Sequence, residues 1–221
     1  MAKSEATQAM DDLQASIRPF LKELGWRARS RAFNRITSDG LTQAIEFQLG
    51  RFDPPGTQYV GFRRNLYGKF TVNVGVYVPE VDVYTFPKAG VRSFIHEYDC
   101  CIRQRLGALG PGQEDIWWDL AAPYERTAAE VFGRIENDAF PFLAQFETRD
   151  AILKRWTLGT PNPYTGGNPP RIVCAIILAV RGRQDEARSF LTEQALEHRD
   201  HPHFAYVCDL ADKLRLGKLD L

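Results

Sequence analysis

The chain has 221 residues and a mass of 25.1 kDa, the size of one domain or of one domain with an appendage. Its 28 basic and 28 acidic side chains cancel, so net charge gives no global argument for binding nucleic acid or an anionic membrane surface. No apolar run approaches the ~18 residues of a membrane span, which predicts a soluble protein. Four cysteines, two of them adjacent, and a polar N-terminus without a signal-peptide pattern predict a cytoplasmic location.

The N-terminal segment has apolar residues at helical spacing from Met10 to Leu24. Gly25 follows directly and is a typical signal for the end of a helix. Pro19 lies inside this pattern, and we expect a kink or a restart of the helix there.

Three segments after this helix alternate between two kinds of side chain, which predicts strands of an antiparallel sheet. The turn Ser38-Asp39-Gly40 favours a hairpin between the first two strands. The predicted strands begin near residue 26, span 41–49 and span 69–78. Val81, Val83 and Phe86 suggest an extension of the third strand, residues 92–105 are either a strand or irregular, and Trp117-Trp118 suggests a short strand.

Helical patterns dominate the chain after Pro123, interrupted by a Pro- and Gly-rich linker over residues 159–170. Within this part, residues 176–196 resemble a helical hairpin of the tetratricopeptide type with Gly182 at its corner. The predicted fold class is therefore α+β, an antiparallel sheet with an N-terminal helix, followed by an all-helical part. We predict an α+β domain over residues 1–147 and a helical C-terminal extension over residues 148–221.

Several short motifs occur together along residues 15–147. They are Leu24-Gly25-Trp26, Phe33-Asn34-Arg35, Asp39-Gly40-Leu41, Phe47-Gln48, the strand from Phe70 to Tyr77, Asp99-Cys100, Arg103, Arg105-Leu106-Gly107 and Trp117-Trp118. In these motifs the chain resembles an uncharacterised bacterial domain-of-unknown-function family. That family often has a histidine after the cysteine of Asp99-Cys100, where this chain has Cys101. The resemblance implies an α+β domain and no established activity.

Four arginines, Arg27, Arg29, Arg31 and Arg35, share one parity on the first predicted strand. Because guanidinium groups bind phosphates and carboxylates in two places, this stripe suits an anionic ligand, an acidic partner or nucleic acid. The alternative is a solvated edge strand whose charges prevent aggregation. Both interpretations stay open at the level of sequence.

A polar sheet face is the second candidate site. If the three strands pair in sequence, the side opposite the core carries carboxylate, amide, hydroxyl and phenol groups, which can make many directed hydrogen bonds. An ordinary solvated face of an antiparallel sheet is the alternative. The residues on this side are Glu46, Gln48, Thr71, Asn73 and Tyr77.

The other clusters of polar residues do not have the spacing of a metal site or of a catalytic site. The segment His96–Cys101 brings together His, Glu, Asp and Cys, but no pair of ligands has zinc-site spacing. Glu46-x-Gln48 resembles part of a metal-dependent nuclease motif but lacks a suitable acidic ligand upstream. Phosphate-loop, dinucleotide-binding, zinc-protease and hydrolase-elbow motifs are missing from the sequence. We therefore predict no metal ion and no cofactor, and we favour a binding role over catalysis.

These observations predict a cytoplasmic protein-interaction module, such as an immunity or accessory protein, that binds a partner protein. The alternative is a small-ligand-binding protein, or an enzyme, with a pocket on the polar sheet face. We expect no membrane association, and nucleic acid is disfavoured by the charge balance. The predicted binding residues are Arg29, Arg31, Glu46, Gln48, Asn73 and Tyr77.

Overall fold

The computed structural model describes residues 4–50, 56–58, 64–85, 90, 92–157 and 169–221. An N-terminal helix leads into an antiparallel sheet, and helices follow in the C-terminal part, which confirms the α+β class. The strands are β1 (Arg27–Arg29), β2 (Ala32–Ile36), β3 (Thr42–Gly50), β4 (Lys69–Tyr77), β5 (Ile102–Arg105) and β6 (Trp118–Asp119). The α-helices are α1 (Glu5–Glu23), α2 (Pro79–Thr85), α3 (Leu106–Leu109), α4 (Tyr124–Arg134), α5 (Phe140–Ala144), α6 (Arg149–Thr157), α7 (Pro170–Val180), α8 (Gln184–Glu197) and α9 (His203–Lys213). A 3-10 turn (Glu97–Asp99) and a π-turn (Ile135–Ala139) complete the described elements.

Strands β1 to β5 pair in chain order, each antiparallel to the next, and β6 pairs with β4. The predicted faces of β3 and β4 are confirmed, because Phe47 lies opposite Val72 on the core side. On the other side Glu46 lies opposite Asn73, and Gln48 lies opposite Thr71. The register therefore places the predicted polar side chains on one face.

Helix α1 is continuous through Pro19, so the predicted restart does not occur. The helix ends at Glu23, two residues before Gly25, as the sequence predicts. Gly25 has a φ of 83°, its N–H donates to the carbonyl of Lys22, and the N–H of Trp26 donates to that of Leu21. A left-handed residue at this position needs no Cβ, and the two bonds satisfy carbonyls that the helix end leaves open.

Residues 81–85 form a helix, so the predicted strand extension is wrong there; Phe86 lies outside the described residues. A strand would place Val81 and Val83 on one face, yet Val81 is 3% exposed and Val83 is 61% exposed. Pro79 at the start and two acidic residues in the first turn favour a helix instead. Of the segment 92–105, only β5 is a strand.

One hydrophobic core joins the sheet to the helices on both sides of residue 147. It includes Met10 of α1, Phe70 of β4 and the apolar run of α7, where residues 172–179 are all buried. Helices α7 and α8 form the predicted hairpin, with Gly182 between them. The division at residue 147 stays a prediction. No helix among the described residues is long and apolar enough to cross a membrane.

Arg149 ties three elements together at the start of α6. Its guanidinium donates to both carboxylate oxygens of Glu80 on α2, at 2.6 and 2.8 Å, and to the backbone carbonyl of Asp39. Its backbone N–H donates to the Asp39 carboxylate at 2.7 Å. The hydrogen bonds with Glu80, together with that carboxylate's charge, hold the pKa of Arg149 above its ordinary value despite its burial. The β2–β3 turn, α2 and α6 are therefore fixed relative to one another.

Helix α9 begins with a histidine, His203, whose environment lowers its pKa. Burial lowers the pKa of His203, and nearby His198 and His201 lower it further. The unfolded chain therefore binds more protons than the folded one below about pH 6.5, the ordinary histidine value. We therefore expect the contribution of His203 to the unfolding free energy to be constant above about pH 6.5. Below that pH, the unfolding free energy should fall as the pH drops. Urea unfolding at several pH values measures this dependence.

The variant His203→Phe keeps an aromatic ring beside Tyr206 and removes the titrating group. Its stability should depend less steeply on pH than that of the wild type below about pH 6.5. Parallel pH profiles for the two proteins would show that His203 does not cause the dependence.

Candidate functional site

The polar sheet face is partly covered by residues 92–100, which we call the strap. The strap crosses the face between β2 and β5, and its buried residues Ile95 and Cys100 pack on Ala44 and Tyr77 of the sheet. The middle of this face is therefore covered by the strap and is not exposed to solvent. The polar groups around that apolar contact fix the strap in place.

Asn34 of β2 binds the strap like the backbone of a neighbouring strand. Its side-chain Nδ2 donates to the carbonyl of Ile95 at 2.8 Å, and its Oδ1 accepts from the N–H of Ile95 at 2.8 Å. Both residues are buried, so water does not compete for these bonds. One amide thus satisfies both backbone groups of a residue that lies 61 positions later in the chain.

Glu46 of β3 makes the second attachment. Its Oε1 lies 3.0 Å from Nδ1 of His96, and its Oε2 accepts from the N–H of Glu97 at 2.8 Å. Glu97 in turn binds Arg103 of β5 through two hydrogen bonds of 2.6 and 3.0 Å. Charged groups from β3 and β5 therefore hold the strap from both sides, in bidentate geometry at Arg103.

Gly75 of β4 allows the strap to approach the sheet closely. A Cβ at this position would lie 2.7 Å from Cβ of Cys100 and 2.9 Å from the carbonyl oxygen of Ile102. Carbon atoms do not approach one another so closely, and the second atom belongs to the backbone of β5. A side chain at residue 75 would therefore displace both the strap and its neighbouring strand.

A buried ionic network fixes the start of the strap. Arg92 contacts Asp82 of α2 at 3.0 Å and Asp99 at 2.8 Å, and Tyr77 donates its hydroxyl hydrogen to Asp82 at 3.0 Å. The hydrogen bond with Asp82 raises the pKa of Arg92. Burial, with the hydrogen bond to Asp82 and the charge of that carboxylate, raises the pKa of Tyr77. Tyr77 is therefore a neutral hydrogen-bond donor at physiological pH.

The strap separates two pockets that open on the same face. The first has a volume of about 700 Å³, and we call it the Arg pocket. The second has a volume of about 1040 Å³, and we call it the amide pocket. The Arg pocket is defined by Arg27, Arg29, Ile36, Val83, Arg92 and Phe94. The amide pocket is defined by Arg31, Glu46, Gln48, Asn73, Tyr98 and Arg103.

Two uncompensated positive charges line the Arg pocket. Arg27 and Arg29 are exposed on β1, and neither side chain contacts an acidic group among the described residues. Exposed aliphatic side chains lie in the same pocket, with Ile36 63% and Val83 61% exposed. The pocket therefore combines free cations with apolar surface.

The predicted stripe of arginines is wrong, because the first predicted strand is a hairpin. Arg29 pairs with Ala32 across a two-residue turn in which Ser30 has a φ of 51°. Arg31 lies in that turn, 3.7 Å from Asp11, and faces the amide pocket. Arg35 lies on the core side of β2, where it binds Gln43 and Glu147.

The predicted binding residues fall into both pockets. Arg29 and Tyr77 line the Arg pocket, and Arg31, Glu46, Gln48 and Asn73 line the amide pocket. Of the strap attachments, sequence reasoning selected Glu46, as a binding residue, but not Asn34, Asp99 or Arg103. The Phe33-Asn34-Arg35 and Asp99-Cys100 motifs and Arg103 were the signals available for them, since each contributes a strap contact: Asn34 to Ile95, Asp99 to Arg92 and Arg103 to Glu97.

The cysteines of the strap region are poorly suited to nucleophilic chemistry. Burial raises the pKa of Cys101 to about 12 and that of Cys100 well above its ordinary value. Thiols in this state stay protonated at neutral pH and react slowly. Within the described ranges, no group of three or more His, Cys, Asp or Glu residues is arranged to hold a metal ion.

The chain matches one family of known sequences. Residues 17–145, more than half of the sequence, match the family described as a domain of unknown function, DUF4304. The chain belongs to this family. The match begins within α1, includes the whole sheet and the strap, and ends directly after α5. No curated protein matches the chain. No solved structure matches it either.

The strap attachment at Asn34 can be tested by substitution. Asn34→Ala leaves the buried N–H and carbonyl of Ile95 without partners, which should lower the unfolding free energy by about 1–3 kcal/mol. Hydrogen exchange of the Ile95 amide should become faster. Urea unfolding and exchange mass spectrometry measure the two effects.

Asn137→Ala is the matched control, because its side chain makes one exposed bond within its own helical segment. Its unfolding free energy should stay within about 0.5 kcal/mol of the wild type. Equal losses in the two variants would contradict the role that we assign to Asn34.

Proposed function

We propose that this protein is an interaction module that binds an acidic segment of a partner protein in the Arg pocket. The observation that carries the proposal is the pair of free cations, Arg27 and Arg29, beside exposed apolar side chains. Elsewhere on this face the guanidinium groups are already engaged, Arg92 by two carboxylates and Arg103 by Glu97. Of the described arginines that line the two pockets, Arg27 and Arg29 of β1 are therefore the ones without an acidic partner.

The chemistry of the Arg pocket defines the class of segment that it would bind. Arginine forks pair with carboxylates in two places, so acidic side chains would contact Arg27 and Arg29. Ile36 and Val83 would cover an apolar side chain of the same segment. A segment that alternates acidic and apolar residues satisfies both requirements.

In the cell, an interaction module of this kind would be an immunity or accessory protein of the bacterial cytosol. Three of the four cysteines are buried as free thiols, which is the usual state in a reducing compartment. An immunity protein is the case in which the partner is toxic when it is expressed alone. Expressing the captured partner with and without this protein tests directly whether it is an immunity protein.

The double variant Arg27→Glu and Arg29→Glu tests the proposal. Reversing both charges should weaken partner binding at least about a hundredfold, because like charges would then face one another. Partners are captured from native lysate on tagged protein and identified by mass spectrometry, and the bound segment is mapped by cross-linking. Wild-type binding should also weaken as salt concentration rises.

The control variant, Arg126→Glu with Arg199→Glu, makes the same change in net charge at exposed positions of α4 and the α8–α9 turn. It should bind the partner like the wild type, and both variants should melt near the wild-type temperature. Undiminished capture by the folded Arg27→Glu/Arg29→Glu protein would overturn the proposal. So would a mapped segment without acidic residues.

A small ligand is a second candidate for this face, favoured by the concave shape of the amide pocket over Glu46, Gln48 and Asn73. Its volume of about 1040 Å³ is at the upper end of the range of small-molecule sites. This candidate uses other residues than the acidic-partner proposal, so variants can separate the two functions.

A further inference from the structure

Both arginines that line the amide pocket already face a carboxylate, and the third carboxylate, Glu46, is bound by the strap. Arg103 is paired with Glu97, and Arg31 lies near Asp11. Glu46 receives hydrogen bonds from the strap at both carboxylate oxygens. An ionic ligand would have to displace one of these pairs, which costs the contact that it replaces. Among its described lining residues, this pocket therefore favours a neutral ligand, in contrast to the Arg pocket.

Hydrogen-bonding groups on the floor of the pocket remain available. Asn73 donates to Oε1 of Gln48 at 2.9 Å, which leaves Nε2 of Gln48 as a donor and Oδ1 of Asn73 as an acceptor. Neither atom bonds to another described residue. A donor and an acceptor on two hydrogen-bonded residues match the needs of hydroxyl groups, which both donate and accept.

A buried hydroxyl on the same sheet face is also unsatisfied. Thr71 lies directly opposite Gln48, is fully buried, and its Oγ1 has no hydrogen-bond partner. Buried polar atoms normally find a partner, and an isolated one costs free energy. The described residues therefore leave incomplete the hydrogen bonding of a hydroxyl that lies on the strand next to Gln48.

Exposed aromatic rings border the pocket. Tyr98 of the strap is 64% exposed and stacks in parallel on His96, with ring centroids 5.1 Å apart. Tyr67, before β4, is 44% exposed and also lines the pocket. Ring faces of this kind supply rigid apolar area at little conformational cost. They complement the apolar face of a pyranose ring, whose hydroxyls point outward.

We propose that the amide pocket is a binding site for a neutral saccharide. Gln48 and Asn73 bind its hydroxyls, and Tyr98 packs on the face of a sugar ring. The paired arginines and the additional carboxylate of Glu46 disfavour anionic sugars such as sugar phosphates and uronic acids. This inference rests on the second candidate function, small-ligand binding, and it does not depend on the acidic partner of the Arg pocket.

An array of neutral oligosaccharides, built from hexoses and N-acetylhexosamines, is the first probe. The tagged full chain is applied to the array, and saccharides that are retained are titrated by calorimetry. Gln48→Ala and Tyr98→Ala should each weaken binding about tenfold, the effect of one lost hydrogen bond or one lost stacking contact. Both side chains are exposed, so the variants should fold like the wild type.

Gln145→Ala and Tyr124→Ala are matched controls, because they remove the same side chains at exposed positions of other elements. They should bind the saccharide like the wild type, as should Arg29→Glu. Binding that survives Gln48→Ala and Tyr98→Ala would overturn the inference, and so would an array without any retained saccharide.

A thermal-shift screen of charged metabolites, amino acids and nucleosides distinguishes the saccharide assignment from the more general proposal that this pocket binds a small ligand. If one of these compounds raises the melting temperature and Gln48→Ala abolishes the shift, the pocket binds a small ligand and the saccharide assignment is wrong. If neither the array nor the screen gives a ligand that depends on Gln48, small-ligand binding at this pocket is wrong as well.

Discussion

The paired hydrogen bonds between the Asn34 amide and the backbone of Ile95 are the contact on which the candidate site depends. They hold Ile95 of the strap as the backbone of a further strand would, at the place where the sheet face would otherwise meet solvent. Glu46 and Arg103 extend the same attachment toward β5, and Gly75 gives the strap room to lie against the sheet. Without this attachment the face would be open and shallow. With it, the face is divided into two pockets with separate linings.

The division also separates two kinds of chemistry. On the β1 side, Arg92 contacts the carboxylates of Asp82 and Asp99, whereas Arg27 and Arg29 contact no acidic group among the described residues. On the α1 side, each described cation faces a carboxylate, and amide groups supply the remaining hydrogen bonds. A chain with no net charge thus presents one pocket with unpaired cations and one in which every described cation is paired. Overall composition averages over both and could not reveal either.

Local patterns predicted those parts of the fold that local physics determines. Alternation gave the faces of β3 and β4, and Gly25 gave the end of α1, because each signal acts over a few residues. The hairpin of β1 and β2 was missed because its turn consists of Ser30 and Arg31, without the Asn or Gly that usually marks such turns. The strap was missed for a different reason. Its attachments join residues 61 and 51 positions apart, and no period in the sequence encodes a contact at that distance.

Side chains that hold the fold and side chains left free for binding are distinct sets on this face. Asn34, Glu46 and Arg103 use their polar groups within the protein, so replacing them would alter stability and any binding together. Arg29, Gln48 and Tyr98 are exposed and hold few or no internal contacts, so the fold gains little from them. These side chains at the rims of the two pockets are therefore open to an external group at little cost to the fold. Because each pocket has its own free side chains, loss of binding at one pocket need not affect the other.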